Sequence, residues 1–345
     1  MLASRAVVAA LLLGALLLGA PAILHAQDDA AQGVVHRADI VRQLSALADD
    51  SMQGRMTGSR GAVMAARFIA REMRAAGLAP AGDSGFLQRV PVGAADGNGR
   101  HSWLVLLDHF STAPDGFHRV PALNVVGVLR GSDPVLRDSV VLVDAHYDHL
   151  GIGKAVHGDS IYNGADDDAS GTVAVLEIAR ALAHGPPLRR TVVFLATTGE
   201  EVGLLGTRWF VSHPVVPLAR IEANLEIEMI GRPDSLAGGP GYGWLTGYER
   251  STMGAMFTRA GLPIVPDRRP AQHFFARSDN IAFAKRGIPA QTLSSFDLHD
   301  DYHEPSDEVS RVDFDHMTAL IAAAASAVRL LANDPAPVWL KGGRP

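Results

Sequence analysis

The 345 residues suffice for one large α/β domain or two smaller ones, and 47% hydrophobic with 20% charged residues is an ordinary globular composition. A net charge of −6 gives no reason to expect nucleic acid or an anionic membrane as a partner, because both require basic patches. The absence of cysteine removes disulfides, thiol nucleophiles and thiolate ligands, so any metal site must be built from histidine and carboxylates.

Arg5, the apolar run 6–20, the breaker Pro21 and the small residue Ala26 read as a signal peptide over 1–26. That predicts export to the periplasm or beyond. The run is shorter than the ~20 residues a membrane span requires, so no stable span is expected after cleavage; the alternative is an uncleaved anchor. Residues 27–37 are expected to be flexible, 38–333 to form a single domain and 334–345 a tail. Nothing in the sequence sets an oligomeric state.

Helical spacing of Ile40, Val41, Leu44 and Leu47 predicts a helix over 38–48, followed by a loop containing GRMTGSRG. A second amphipathic helix is expected over 62–76, stopped by Gly77. Strands are expected over 86–91, 102–107 and 123–129, with a Gly-rich hairpin or loop over 92–100. The apolar run 139–145 predicts a buried strand, 169–183 a helix, 190–197 a strand and 200–213 a partly helical segment. A third buried strand is expected over 223–230, a long Gly/Pro-rich loop over 232–247, a helix over 279–286, a strand over 289–293 and a last helix over 315–332. Alternating strands and helices predict an α/β fold, a mostly parallel mixed sheet covered by helices on both faces. Ligands in such sheets bind beyond the carboxyl ends of the strands.

Chemistry-bearing residues collect at those ends. The strand at 139–145 runs into His146, Asp148 and His149. At i+2 on extended chain, Asp148 is expected to lie beside His146 and fix its tautomer; His149 is expected to point the other way. Asp166, Asp167 and Asp168 read either as a helix N-terminus or as charges that need a cation. Glu200 and Glu201 allow the same two readings. Glu228 alternates with Glu226 and is expected to share its face. Tyr302 and His303 sit in an acid-rich loop. Two histidines with several carboxylates suit zinc, and two ions sharing a bridging carboxylate match an aminopeptidase type of site.

The segments AHYDHLG, GADDDASG, GEEVGLLGT, NLEIEMIGR, RSDNIAFAKRGIPA and DYHEPSDEV, in this order, resemble the co-catalytic two-zinc aminopeptidases of the twenty-eighth metallopeptidase family, to which glutamate carboxypeptidases and glutaminyl cyclases are related. The resemblance implies a zinc peptidase α/β/α sandwich that hydrolyses the N-terminal bond of peptides. It implies His146 and Glu228 on one zinc, Glu201 and His303 on the other, Asp167 bridging them and Asp148 behind His146. Glu200 would be the general base and Tyr302 would steady the oxyanion; a cis peptide is implied at Asp167-Asp168. Glu228 departs from the more usual aspartate. Residues 232–247 are read as pocket lining, Phe274 and Phe275 as pocket lining or core, and Arg277, Ser278 and Asp279 as bracing the His303 loop. The alternatives are a carboxypeptidase or deacylase of the same type, or a non-catalytic relative. The carboxypeptidase reading requires an arginine cluster, for which only Arg268 and Arg269 are unassigned.

Overall fold

The computed structural model describes residues 34–95, 104–110 and 113–345. The expected signal peptide and most of the Gly-rich segment after Ala95 lie outside the described residues.

The strands in chain order are β1 (Ala79–Pro80), β2 (Leu87–Ala95), β3 (Leu104–Leu106), β4 (Phe117–Leu129), β5 (Val140–His146), β6 (Gly151–Val156), β7 (Asp159–Tyr162), β8 (Thr191–Thr197), β9 (Ile221–Ile227), β10 (Gly243–Leu245), β11 (Ile264–Pro266) and β12 (Ala290–Ser294). The helices are α1 (Arg37–Leu47), α2 (Arg60–Ala75), α3 (Gly171–Ala183), α4 (Leu205–Ser212), α5 (Met253–Arg259), α6 (Asn280–Lys285) and α7 (Phe314–Asn333).

All strands but β6 and β7 join one ten-stranded sheet of order β11-β10-β12-β9-β5-β8-β4-β2-β3, with β1 against β4. Its centre, β12-β9-β5-β8, is parallel, and the flank from β8 through β4 and β2 to β3 is antiparallel. Every residue of β5 and β8 is buried, as central parallel strands covered on both sides must be. Val141, Val143 and Ala145 enter one core beneath α1, α2, α3 and α7, whereas Val140 and Leu142 enter a second beneath α4 and α6.

Helix starts follow capping chemistry. Ser59 accepts the Ala62 amide at 3.1 Å, and Asp313 accepts those of Asp315 and His316. Gly77, at φ +83°, lets the chain leave α2 in the left-handed region. Helix α7 is long and apolar enough to cross a membrane, but more than half of that stretch is buried inside the domain. The expected tail lies on the domain: Trp339 donates its indole N–H to the Gly287 carbonyl at 2.9 Å.

Strands β2 and β4 run further than predicted, through prolines that would ordinarily end a strand. Their register sets Pro91 opposite Pro121, so the two missing donors coincide. The β6–β7 hairpin, α5, β10 and β11 fall in segments read as loops or left unassigned. β9 ends at Ile227, which places Glu228 just beyond the strand.

Candidate active site

Because β5, β8 and β9 are parallel, His146, Glu200 and Glu228 emerge at the same edge of the sheet. The segment 165–170 before α3 and the loop carrying Tyr302 and His303 close over that edge. Asp167, Glu200, Glu201, Glu228, Tyr302 and His303 all line one cavity.

Asp167 lies at its centre. Its Oδ1 is 3.4 Å from His146 Nε2 and its Oδ2 is 3.1 Å from His303 Nε2. Glu201 Oε2 is 3.3 Å from the same His303 nitrogen. Burial opposes ionisation of Asp167, but the imidazoles of His146 and His303 outweigh it and hold its carboxyl well below the usual range. Burial likewise disfavours the charged form of His303; hydrogen bonds to Asp167 and Glu201 prevail and raise it to about 10. Burial pushes Glu200 well above its ordinary value, and burial together with the Glu226 charge pushes Glu228 up to about 8. The buried His146 Nε2 has no hydrogen-bond partner although it faces this carboxylate cluster. Imidazoles and carboxylates that leave water beside one another, with an orphaned nitrogen aimed inward, fit a divalent cation with an N/O donor set. The backbone carries a cis peptide at Asp167-Asp168.

Three expectations about the surroundings are corrected. The Asp148 carboxylate does not orient His146: His146 Nδ1 lies 3.1 Å from the Asp148 backbone carbonyl and 3.9 Å from its Oδ1. The carboxylate instead accepts the Thr57 hydroxyl at 2.9 Å and the Glu200 amide at 3.2 Å. Asp148 therefore fixes the backbone of Glu200. His149 points into the site, with Nδ1 2.8 Å from Glu201 Oε1, because β5 ends at His146 and strict alternation ends with it. Glu226 lies on the same side as Glu228, near enough for its charge to raise the Glu228 pKa. It is fully buried, accepting from the Ser278 hydroxyl, the Asp279 and Asn280 amides and the Thr292 hydroxyl. Ser278 and Asp279 thus brace the floor beneath Glu228 and not the His303 loop.

Phe274 lines the cavity with Met229, Trp244 and Phe296, while Phe275 belongs to the core with Phe283. Arg277 reaches the cavity rim over the Phe274 ring, 5.0 Å from its centroid. Arg269 is taken by Asp234 through two bonds of 2.5 and 2.9 Å, which pins the loop after Gly231.

Two positioning residues were missed. Asp307, inside DYHEPSDEV, accepts the Asp166 and Asp167 amides at 3.0 Å each and so clasps the aspartate segment. Its place in the motif was the available signal. Arg55 is wholly buried and donates to the carbonyls of Tyr147 at 2.7 Å, Leu47 at 2.8 Å, Asn163 at 2.6 Å and Gly164 at 2.9 Å. It ties the His146 segment to the Asp167 segment, and no local pattern reveals such a role. Burial lowers its pKa to about 10, which leaves it charged at neutral pH.

The model of peptidase family M28 matches residues 124–328, more than half of the chain. The chain belongs to peptidase family M28. The match takes in Glu228 and every other residue of the candidate site except Arg55 and Thr57. Over an alignment of 180 residues this M28 chain is 31% identical to "Leucine aminopeptidase 2" of Trichophyton equinum, covering 49% of this chain and 33% of that protein. The chain thus accounts for about a third of that curated relative. Among solved structures, BSAP, a zinc aminopeptidase from Bacillus subtilis, is similar with a TM-score of 0.62 at 16% identity, over 88% of this chain and 97% of that one. Glutaminyl cyclase from Porphyromonas gingivalis is similar with a TM-score of 0.62 at 17% identity, over 86% and 98%. At these identities the structural likeness is one of fold.

Proposed function

We propose that this M28 chain is a zinc-dependent aminopeptidase that removes the N-terminal residue of peptides. The observation that carries the reading is the division of Asp167, one oxygen toward His146 and the other toward His303. A carboxylate placed in this way can join two ions. One zinc would be held by His146, Asp167 and Glu228, the other by Asp167, Glu201 and His303. Zinc there would polarise the scissile carbonyl and acidify a water molecule.

The chain's own groups would do the rest. Glu200, half-buried in the cavity wall and anchored through its amide to Asp148, takes the proton of the attacking water and returns it to the leaving amine. Burial and the charges of Asp167, Glu201 and Glu228 keep the Tyr302 phenol protonated, so it can donate to the oxygen that becomes negative. Glu228 and Glu200, which line the same cavity, would hold the free ammonium group of the substrate. Met229, Trp244, Phe274 and Phe296 form an apolar wall against which the N-terminal side chain would pack. The leader-like residues 1–26 support export as the setting for this activity.

The test is hydrolysis of aminoacyl p-nitroanilides and of their N-acetyl counterparts, before and after chelation and zinc return. The expected result is chelator-sensitive cleavage of the free-amine set alone. Cleavage of the acetylated set, or activity that survives complete metal removal, would overturn the reading.

A further inference from the structure

His149 is absent from the zinc ligands that the resemblance implies, yet it is among the most enclosed side chains of the site, with none of its side chain exposed. Its ring lies against Gly164, where a Cβ would collide with the imidazole carbons, and meets the His303 ring edge-on at 5.7 Å between centroids. The two oxygens of Glu201 face different imidazoles. Oε2 is 3.3 Å from His303 Nε2, and Oε1 is 2.8 Å from His149 Nδ1. The first spacing matches the edge between two ligands at ~2.0–2.2 Å from a tetrahedral zinc. The second is shorter and has the length of a hydrogen bond. Asp167 Oδ2, at 3.8 Å from Nδ1, is too distant to compete for that proton.

We propose that His149 is a positioning residue for the zinc site. It donates its Nδ1–H to Glu201 Oε1, so that Glu201 presents only Oε2 to the metal. An ionised carboxylate can only accept, so the proton must lie on the imidazole. With one oxygen occupied and the ring walled in by Gly164, Glu201 has a single approach to the ion beside His303. Partners of this kind, placed behind metal ligands, commonly govern affinity. Asp148 was expected to serve His146 in this way; the structure places the comparable contact on the other side of Asp167, from His149 to Glu201.

This inference rests on the two-zinc reading. The test is therefore a zinc titration of chelated protein against a chromophoric competitor, which reads affinity and stoichiometry without catalysis. The wild type should bind two zinc ions. His149→Leu, of similar bulk but without a donor, should weaken one of the two sites by about 10–100-fold and leave the other unchanged. His149→Asn, whose amide nitrogen falls near the position of Nδ1, should keep both affinities close to the wild-type values. If His149→Leu fails to fold, His149→Ala carries the same comparison, with the thermal midpoint of the metal-free protein as the check on folding. Wild-type affinity at both sites in His149→Leu would overturn the proposal. So would a loss in His149→Asn equal to that in His149→Leu, which would make the imidazole itself a ligand. A wild type that binds fewer than two ions would instead defeat the underlying reading.

Discussion

Replacing Glu200 with alanine is expected to leave zinc binding intact and to slow hydrolysis at least ~100-fold. Glu200 lines the cavity beside Glu201, Glu228 and Asp167, but among the described residues no imidazole is ion-paired with it as His303 is with Glu201. Its amide is held by Asp148, which in turn accepts the Thr57 hydroxyl, so the side chain starts from a fixed point. Burial raises its proton affinity, which suits a group that must receive a proton and then surrender it. Removing the carboxylate takes away the acceptor and leaves the donor set around Asp167 in place. The measurement is kcat on the best p-nitroanilide with zinc content determined on the same sample. Near-normal turnover by fully loaded Glu200→Ala would contradict the base assignment. A loss of zinc together with activity would move Glu200 into the metal site.

The second large effect concerns stability. Arg55→Met should destabilise the metal-free domain by ~3 kcal/mol or more, because each stranded buried acceptor costs ~1–3 kcal/mol and, of the four carbonyls Arg55 serves, those of Tyr147, Leu47 and Asn163 lose their donor. Relief of the buried charge offsets part of this, since burial already lowers the guanidinium pKa to about 10. The Gly164 carbonyl also accepts the Ala169 amide at 3.3 Å, so it is not stranded outright. Leu47 is the last residue of α1, whose C-terminus favours a cation, and Tyr147 and Gly164 belong to the segments that carry His146 and Asp167. Urea unfolding of the two chelated proteins measures the difference. A change below ~1 kcal/mol would show that the four contacts are not jointly required.

The sheet centre was legible because β5 and β8 are almost wholly apolar, β9 alternates apolar with polar residues, and His or Glu stands at or just beyond the end of each. That contrast also exposed the candidate ligands, since charges directly after a buried strand have little other use. Helices α1, α2, α3 and α7 were legible from apolar spacing and from the glycine that ends α2. What failed to show depends on long-range contact or on broken periodicity. β6 and β7 carry no clean alternation, and β10 and β11 are three residues each. His149 was misplaced because period-two reasoning was carried beyond the last residue of β5. The partner of Asp148 was misassigned because Thr57 lies far away in sequence, in a loop with no pattern of its own. Glu226 and Glu228 alternate in sequence but differ in role, because the start of α6 closes over one and the cavity opens beside the other.

The proposed function requires that two metal ions share Asp167. Anomalous X-ray diffraction at the zinc edge, on crystals of zinc-reconstituted protein, tests it most directly. Two peaks are expected to flank the Asp167 carboxylate, one against His146 and Glu228 and the other against Glu201 and His303. A single peak, or two peaks of which one lies away from Asp167, would contradict it.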